Sequence, residues 1–217
     1  MKRDLPPSSA SNRRDLAILT AIWLAGLVLS GWAPYERATW WMEIAPVLIA
    51  LPLLWLTQRG YALTRLALVL IGLHGLVLML GGAYTYARVP FGFTLQDWLG
   101  LARNPYDRIG HFMQGFVPAI VLRELLLRWG GLRAGALSTV LVLASCLAVS
   151  ASYELIEFGA AMALGQGADA FLGTQGDPWD TQWDMLCCLI GAACALLLLR
   201  GRHDRQLRGL RQAEAAP

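Results

Sequence analysis

The chain has 217 residues, of which 56% are hydrophobic and 15% charged, with 18 Lys and Arg against 15 Asp and Glu. Ordinary soluble domains carry about 25% charged residues, and here the apolar residues gather into runs near the length that crosses a hydrocarbon core of about 30 Å. That excludes a soluble enzyme. A net charge of only +3 says little about partners, and no recognition motif points to nucleic acid.

The expected fold class is all-α: a polytopic membrane helix bundle of about six transmembrane helices plus a short interfacial helix. The predicted spans run over about 16–33, 40–57, 63–83, 109–127, 134–158 and 183–199. The first has the look of a signal peptide, but no clean small-x-small site follows it and five more apolar runs do, so it reads as a retained helix. The second is the weakest, because Glu43, Pro46 and Pro52 lie in it. Between the third and fourth spans, "TLQDWLGLA" places Leu95, Trp98, Leu99 and Ala102 at helical spacing. Thr94 and Asp97 resemble a capping box there, which predicts a short helix in the membrane interface. Between the fifth and sixth, "GAAMALGQGADAFLGTQGDPWDTQ" is glycine-rich and free of Lys and Arg, and is expected to fold back over the helix ends. The domain reading is a tail at 1–15, one transmembrane domain at 16–199 and a basic tail at 200–217. With both tails cytoplasmic, 14 of the 18 basic residues fall inside, and Arg37, Arg88, Arg103 and Arg108 outside. The positive-inside rule then turns the two long connections, 84–108 and 159–182, toward the periplasm of a bacterial inner membrane. The arginines of "RGRHDRQLRGLRQ" are expected to meet anionic headgroups, so membrane lipids are the first partner.

This topology brings polar residues together. Asp107 and His111 open the fourth span at i,i+4 spacing, and Glu154 and Glu157 (i,i+3) lie near the outer end of the fifth. Glu154 is about 30 Å along the helix from Ala134. Asp177, Asp180 and Asp184 (i,i+3,i+7) enter the sixth. Each set shares one helix face, and ionisable groups at membrane depth turn inward, where they are functional candidates by default. The catalytic candidates are His111, Glu154, Glu157 and Asp184, and the binding candidates Asp107, Arg108 and Asp180. Plainer readings stand beside these. Asp177, Pro178 and Asp180 fit a helix start, the two glutamates fit acids in headgroup water, and His74 fits a hydrogen-bonding glue residue in the third span. Arg123 and Glu124 read as an anchor or inter-helix pair at the inner end. The four cysteines, all within spans, read as packing residues.

Carboxylates this close repel one another, and a cation relieves the repulsion. The candidate cofactor is therefore a divalent metal ion held by Asp107, His111, Glu154, Glu157 and Asp184, donors that suit Mg, Mn, Ca or Zn. Arg108 is the only base expected close to the cluster, and Arg103 and Arg108 together are candidates to attract phosphate. No P-loop, nucleophile elbow or HExxH helix is present to signal a reaction.

The blocks "YDRIGHFMQGF", "SASYELIEFGAA" and "GTQGDPWDTQWDM", with the following "IGA", resemble the YjdF-type family of bacterial inner-membrane proteins over about Trp32 to Leu199. The resemblance implies a multi-span inner-membrane protein and brings no reaction with it. A wider likeness is to VanZ-like membrane proteins. Their acid–base–histidine pattern would fall on Asp107, Arg108 and His111, their Glu-x-x-Gln on Glu154 and Glu157, and their Asp, Asn and Gly on Asp184, Cys188 and Gly191. Glu157 and Cys188 depart from that pattern. The leading functional expectation is a periplasm-facing pocket that binds or acts on a lipid or lipid-linked envelope precursor, with a metal-dependent enzyme as one version. The alternatives are a small proton- or cation-coupled permease and a structural accessory subunit.

Overall fold

A computed structural model describes the backbone of residues 10–164 and 175–215, and the side chains of 12–163 and 175–212. The described residues form helices α1 (Ala10–Trp32), α2 (Arg37–Thr57), α3 (Arg65–Tyr84), α4 (Pro90–Leu99), α5 (Tyr106–Arg128), α6 (Ala136–Leu164) and α7 (Asp180–Ala215). Strands are absent among them. Helices α1, α2, α3, α6 and α7 are long and apolar enough to cross a membrane. The 23 residues of α5 would reach about 34 Å, but this helix is too polar to stand in lipid alone. It is instead shielded by α3, α6 and α7, while α1 and α2 pack on α3. The most polar span is thus the most enclosed one, as the cost of ionisable groups in lipid requires.

The closest packing in the bundle is the crossing of α5 and α7, made at two glycines. A Cβ added to Gly115 would stand 1.7 Å from the Cys188 carbonyl oxygen, and one added to Gly191 would stand 2.0 Å from that of Phe112. Both obstacles are backbone, so neither can yield by rotating a side chain. Small residues permit such approach where the hydrophobic effect gives helices no reason to associate.

A second fastening lies at the end of the bundle where α1 starts and α7 ends. Glu124, fully buried, accepts hydrogen bonds from the Thr64 amide (3.0 Å) and hydroxyl (2.7 Å) and from Arg128 (2.6 Å). Arg123 donates to His203 Nδ1 at 3.0 Å, which leaves the ring proton on Nε2, 3.1 Å from Glu124. Arg123 also pairs with Asp204 at 2.5 Å. Two arginines thus face two carboxylates, and α3, α5 and α7 are joined with the charges balanced. The Arg123–Glu124 dipeptide serves as the inter-helix pair that its position suggests.

Three local features differ from expectation. First, α4 starts at Pro90 rather than at Thr94, because proline at the first helical position is the stronger start signal. Thr94 then lies inside the helix and its hydroxyl returns to the Pro90 carbonyl, so it caps nothing. Trp98 is nevertheless 80% exposed, as an interfacial residue would be. Second, α7 does not stop near residue 199. It continues as one helix to Ala215, with His203 and Leu207 buried and Gln206 accepting from the Leu66 amide, so much of the segment read as a tail belongs to the bundle. Third, α7 begins at Asp180, and Asp177 shapes the turn before it by accepting the Trp179 amide at 2.9 Å. The expected fold-back of the connection before α7 rests on residues 165–174, which lie outside the described residues, as do Lys2 and Arg3 of the charge count.

The glycine crossing makes a specific expectation. Gly115→Val should destabilise the protein by about 1–3 kcal/mol, the usual cost of overpacking against groups that cannot yield. Gly159→Ala, in α6 with nothing within 4 Å of the added Cβ, should be neutral or stabilising by up to about 1 kcal/mol. Unfolding of the two purified variants in detergent compares them, and equal stability would contradict the packing described.

Candidate functional site

The polar residues at the opposite end of the bundle are placed by the same crossing. One helical turn before Gly115, His111 projects from α5, and one further turn back lies Asp107. Nearly two turns before Gly191, Asp184 projects from α7 with Asp180 one turn earlier. His111 Nε2 stands 3.7 Å from Asp107 and 3.9 Å from Asp184, and its Nδ1 stands 3.8 Å from Glu154 of α6. Nδ1 also lies 3.1 Å from the Gln114 side-chain oxygen, a true hydrogen-bond distance. Asp107, His111, Glu154, Glu157, Asp180 and Asp184 are all buried, which rules out the reading of the two glutamates as acids in open headgroup water.

Beside this cluster lies a cavity of about 410 Å³. Its rim holds Glu43, Asp107, His111, Tyr153 and Glu157, and its floor Trp23, Val47, Ile71, Leu78, Val117 and Leu122. Glu157 lines this cavity together with His111, while Glu154 stands at the Nδ1 edge of the His111 ring and Asp184 at the Nε2 edge. Helices α2 and α6 flank the cavity without packing extensively on each other. The Tyr153 hydroxyl spans the gap, donating to Glu43 at 3.0 Å. His74 lines the cavity in mid-span, and its Nε2 makes no hydrogen bond among the described residues. The glue role expected of His74 is therefore not what the structure gives: its ring faces a cavity rather than a polar partner on a neighbouring helix.

Arginine completes the rim differently from expectation. Arg108 pairs with Asp177 at 2.7 Å and lies over the Trp183 ring. It is not the only close base. Arg103 pairs with Asp180, and stands 3.5 Å from Asp107 and 3.7 Å from Asp177. The loop is held for this by Gln175, whose side chain accepts from the Asn104 amide and donates to the Asn104 carbonyl. Both arginines are thus engaged by aspartates. Asp177 and Asp180 serve mainly to hold these guanidinium groups, alongside the turn that Asp177 makes.

A family model described as a predicted membrane protein, DUF2238, matches residues 16–205. The chain belongs to the DUF2238 family. It is 54% identical over 182 residues to the inner membrane protein YjdF of Escherichia coli (strain K12), a match covering 84% of this chain and 87% of that protein. No solved structure matches. This DUF2238 protein is therefore a multi-pass inner-membrane protein, and its helical bundle agrees with that assignment.

Several rim residues of this DUF2238 chain were not singled out from sequence. Glu43 was noted only as a blemish in the second span. Counting depth would have found it: six residues past the start of α2, it lies at the level of His111, five past the start of α5. Tyr153 and Gln114 carry no such signal, since uncharged residues of their kind are common in spans. Cys188, where the VanZ-like pattern has Asn, is fully buried and its thiol donates weakly to the Cys146 carbonyl at 3.5 Å.

The ion pairs set a further expectation. Arg103→Gln leaves Asp107 and Asp180 without their arginine and should cost about 3 kcal/mol, the usual penalty for breaking a buried pair. Arg108, more exposed, should cost less than about 1 kcal/mol on the same change. Denaturant unfolding in detergent measures both, and a reversed order would contradict the assignment of Arg103 as the central base.

Proposed function

We propose that this protein receives an amphipathic lipid, or a lipid-linked envelope precursor, from the outer leaflet. The observation that carries the reading is the composition of the cavity: an apolar floor of Trp23, Val47, Ile71 and Leu78 under a rim of Glu43, His111, Tyr153 and Glu157. A hydrocarbon tail suits the floor, and a head rich in hydroxyl or amine donors suits the carboxylate rim. The weakly packed side between α2 and α6 offers a lateral way in from lipid. The rim faces the periplasm in this proposal, on the strength of the 14-to-4 division of basic residues.

The permease alternative needs a polar path from His111 and His74 to Glu124. The α5 residues that line the cavity on that route, Val117, Val121 and Leu122, are apolar, which favours binding over passage. The structural-subunit alternative suits a closed cluster, whereas this cluster borders a cavity.

Two measurements test the proposal. Reporter fusions at the C-terminus should be active only in the cytoplasm, and activity confined to the periplasm would reverse the orientation. Protein purified in mild detergent should retain a lipid that extraction and mass spectrometry identify. Ile71→Trp, which fills the cavity, should lower its retention by roughly tenfold, equivalent to about 1.4 kcal/mol. Ile49→Trp, on the exposed outer face of α2, should not. Equal retention in the two variants would remove the cavity from the account.

A further inference from the structure

We propose that His111, Asp107 and Asp184 hold a divalent transition-type cation, Zn²⁺ or Mn²⁺, between α5 and α7. One ligand atom from each residue falls within 4.8 Å of the other two, and all three residues are buried. The site is more than an acidic cluster. The Asp184 side chain is only 3% exposed, yet its Oδ1 is buried without a hydrogen-bond partner among the described residues, and Glu154 Oε1 is in the same position. Buried carboxylate oxygens left unsatisfied are costly, and a cation held by Asp184 relieves that cost at its carboxylate.

The orientation of His111 supports this. Gln114 accepts from Nδ1 at 3.1 Å, which fixes the tautomer whose Nε2 carries a lone pair. Metal-binding histidines are usually held in this manner, the far ring nitrogen donating to a neighbouring oxygen. Nε2 then points between Asp107 Oδ1 at 3.7 Å and Asp184 Oδ2 at 3.9 Å, too far for hydrogen bonds to either. Tetrahedral zinc with bonds of 2.0–2.1 Å separates its ligands by ~3.4 Å, so a contraction of a few tenths of an ångström closes the two edges at His111, and the third edge, no longer than 4.8 Å, closes by a turn of the aspartate side chains. Asp107 serves two partners without conflict, its Oδ2 facing Arg103 and its Oδ1 facing His111. Glu154, 3.8 Å from His111 Nδ1, stands at the opposite edge of the ring and is not one of the three ligands. An imidazole among carboxylates favours Zn²⁺ or Mn²⁺ over Mg²⁺ or Ca²⁺, which prefer all-oxygen shells. This inference needs no lipid in the cavity, so loss of lipid retention with cation retained would leave it standing.

The test uses the full chain in detergent, stripped with chelator, reloaded with Zn²⁺ or Mn²⁺ and passed through a desalting column. Elemental analysis should find about one ion per chain in the wild type. Asp184→Asn and His111→Gln should lose it, while Asp177→Asn, which contacts the arginines and the Trp179 amide but none of the three ligands, should keep it. A wild-type protein that retains no ion, or variants at 184 and 111 that retain as much as the wild type, would overturn the proposal. Should those variants fail to fold, X-ray absorption of the zinc-loaded wild type decides the matter. One nitrogen and several oxygen neighbours at about 2.0–2.2 Å are expected, and sulfur neighbours at about 2.3 Å, or a shell without histidine, would refute it.

Discussion

The contact on which the rest of this structure depends is the crossing of α5 and α7 at Gly115 and Gly191. In lipid, apolar side chains gain nothing by leaving their surroundings for one another, so helices hold through close backbone packing and polar contacts. Here the backbones approach so nearly that no Cβ fits on either glycine. A polar helix such as α5 can be kept at the centre of the bundle only by a neighbour that comes this close. The crossing also acts as a fulcrum. On one side of it lies the Glu124–His203–Arg123 fastening, and on the other His111 meets Asp184.

The two polar centres are built on opposite principles. Around Glu124, every charge has a partner of opposite sign and every lone pair near it a donor, the arrangement that lets a buried ionic group hold helices without inviting a ligand. Around His111, acids outnumber bases. Arg103 and Arg108 are taken up by Asp107, Asp177 and Asp180, leaving Glu154 and Asp184 with buried oxygens that nothing in the described residues satisfies. Among seven buried or half-buried acids in this region, those two carry the buried carboxylate oxygens without a hydrogen-bond partner among the described residues.

Much of this was legible in the sequence because membrane topology turns position along the chain into depth. Six apolar runs and the spacing of Asp107, His111, Glu154, Glu157 and Asp184 were enough to bring those residues to one end of the bundle, and the structure places His111 within 4 Å of Asp107, Glu154 and Asp184, with Glu157 on the same cavity. What stayed hidden depends on loops and on pairing. Arg103 was invisible as the central base, because its place is fixed by a hydrogen-bonded clasp between Asn104 and Gln175, seventy-one residues apart in the chain. The long extension of α7 was hidden because its arginines resemble a solvated tail, while the burial of His203 and Leu207 that keeps it helical comes from α3 and α5. Glu43 was discounted because one acid in an apolar run reads as a weakness of the span until a partner, here Tyr153, is known.

The central claim is that the glycine crossing sets the register in which His111 faces Asp184. Oxidative cross-linking tests it most directly. In membranes carrying a protein whose four native cysteines are replaced by serine, cysteines introduced at His111 and Asp184 should form an intramolecular disulfide, seen as one linked peptide by mass spectrometry. Cysteines at His111 and Leu186, the latter on the exposed face of α7, should stay reduced. A disulfide at the second pair and none at the first would mean that α5 and α7 meet in a different register, and the site described here would not exist.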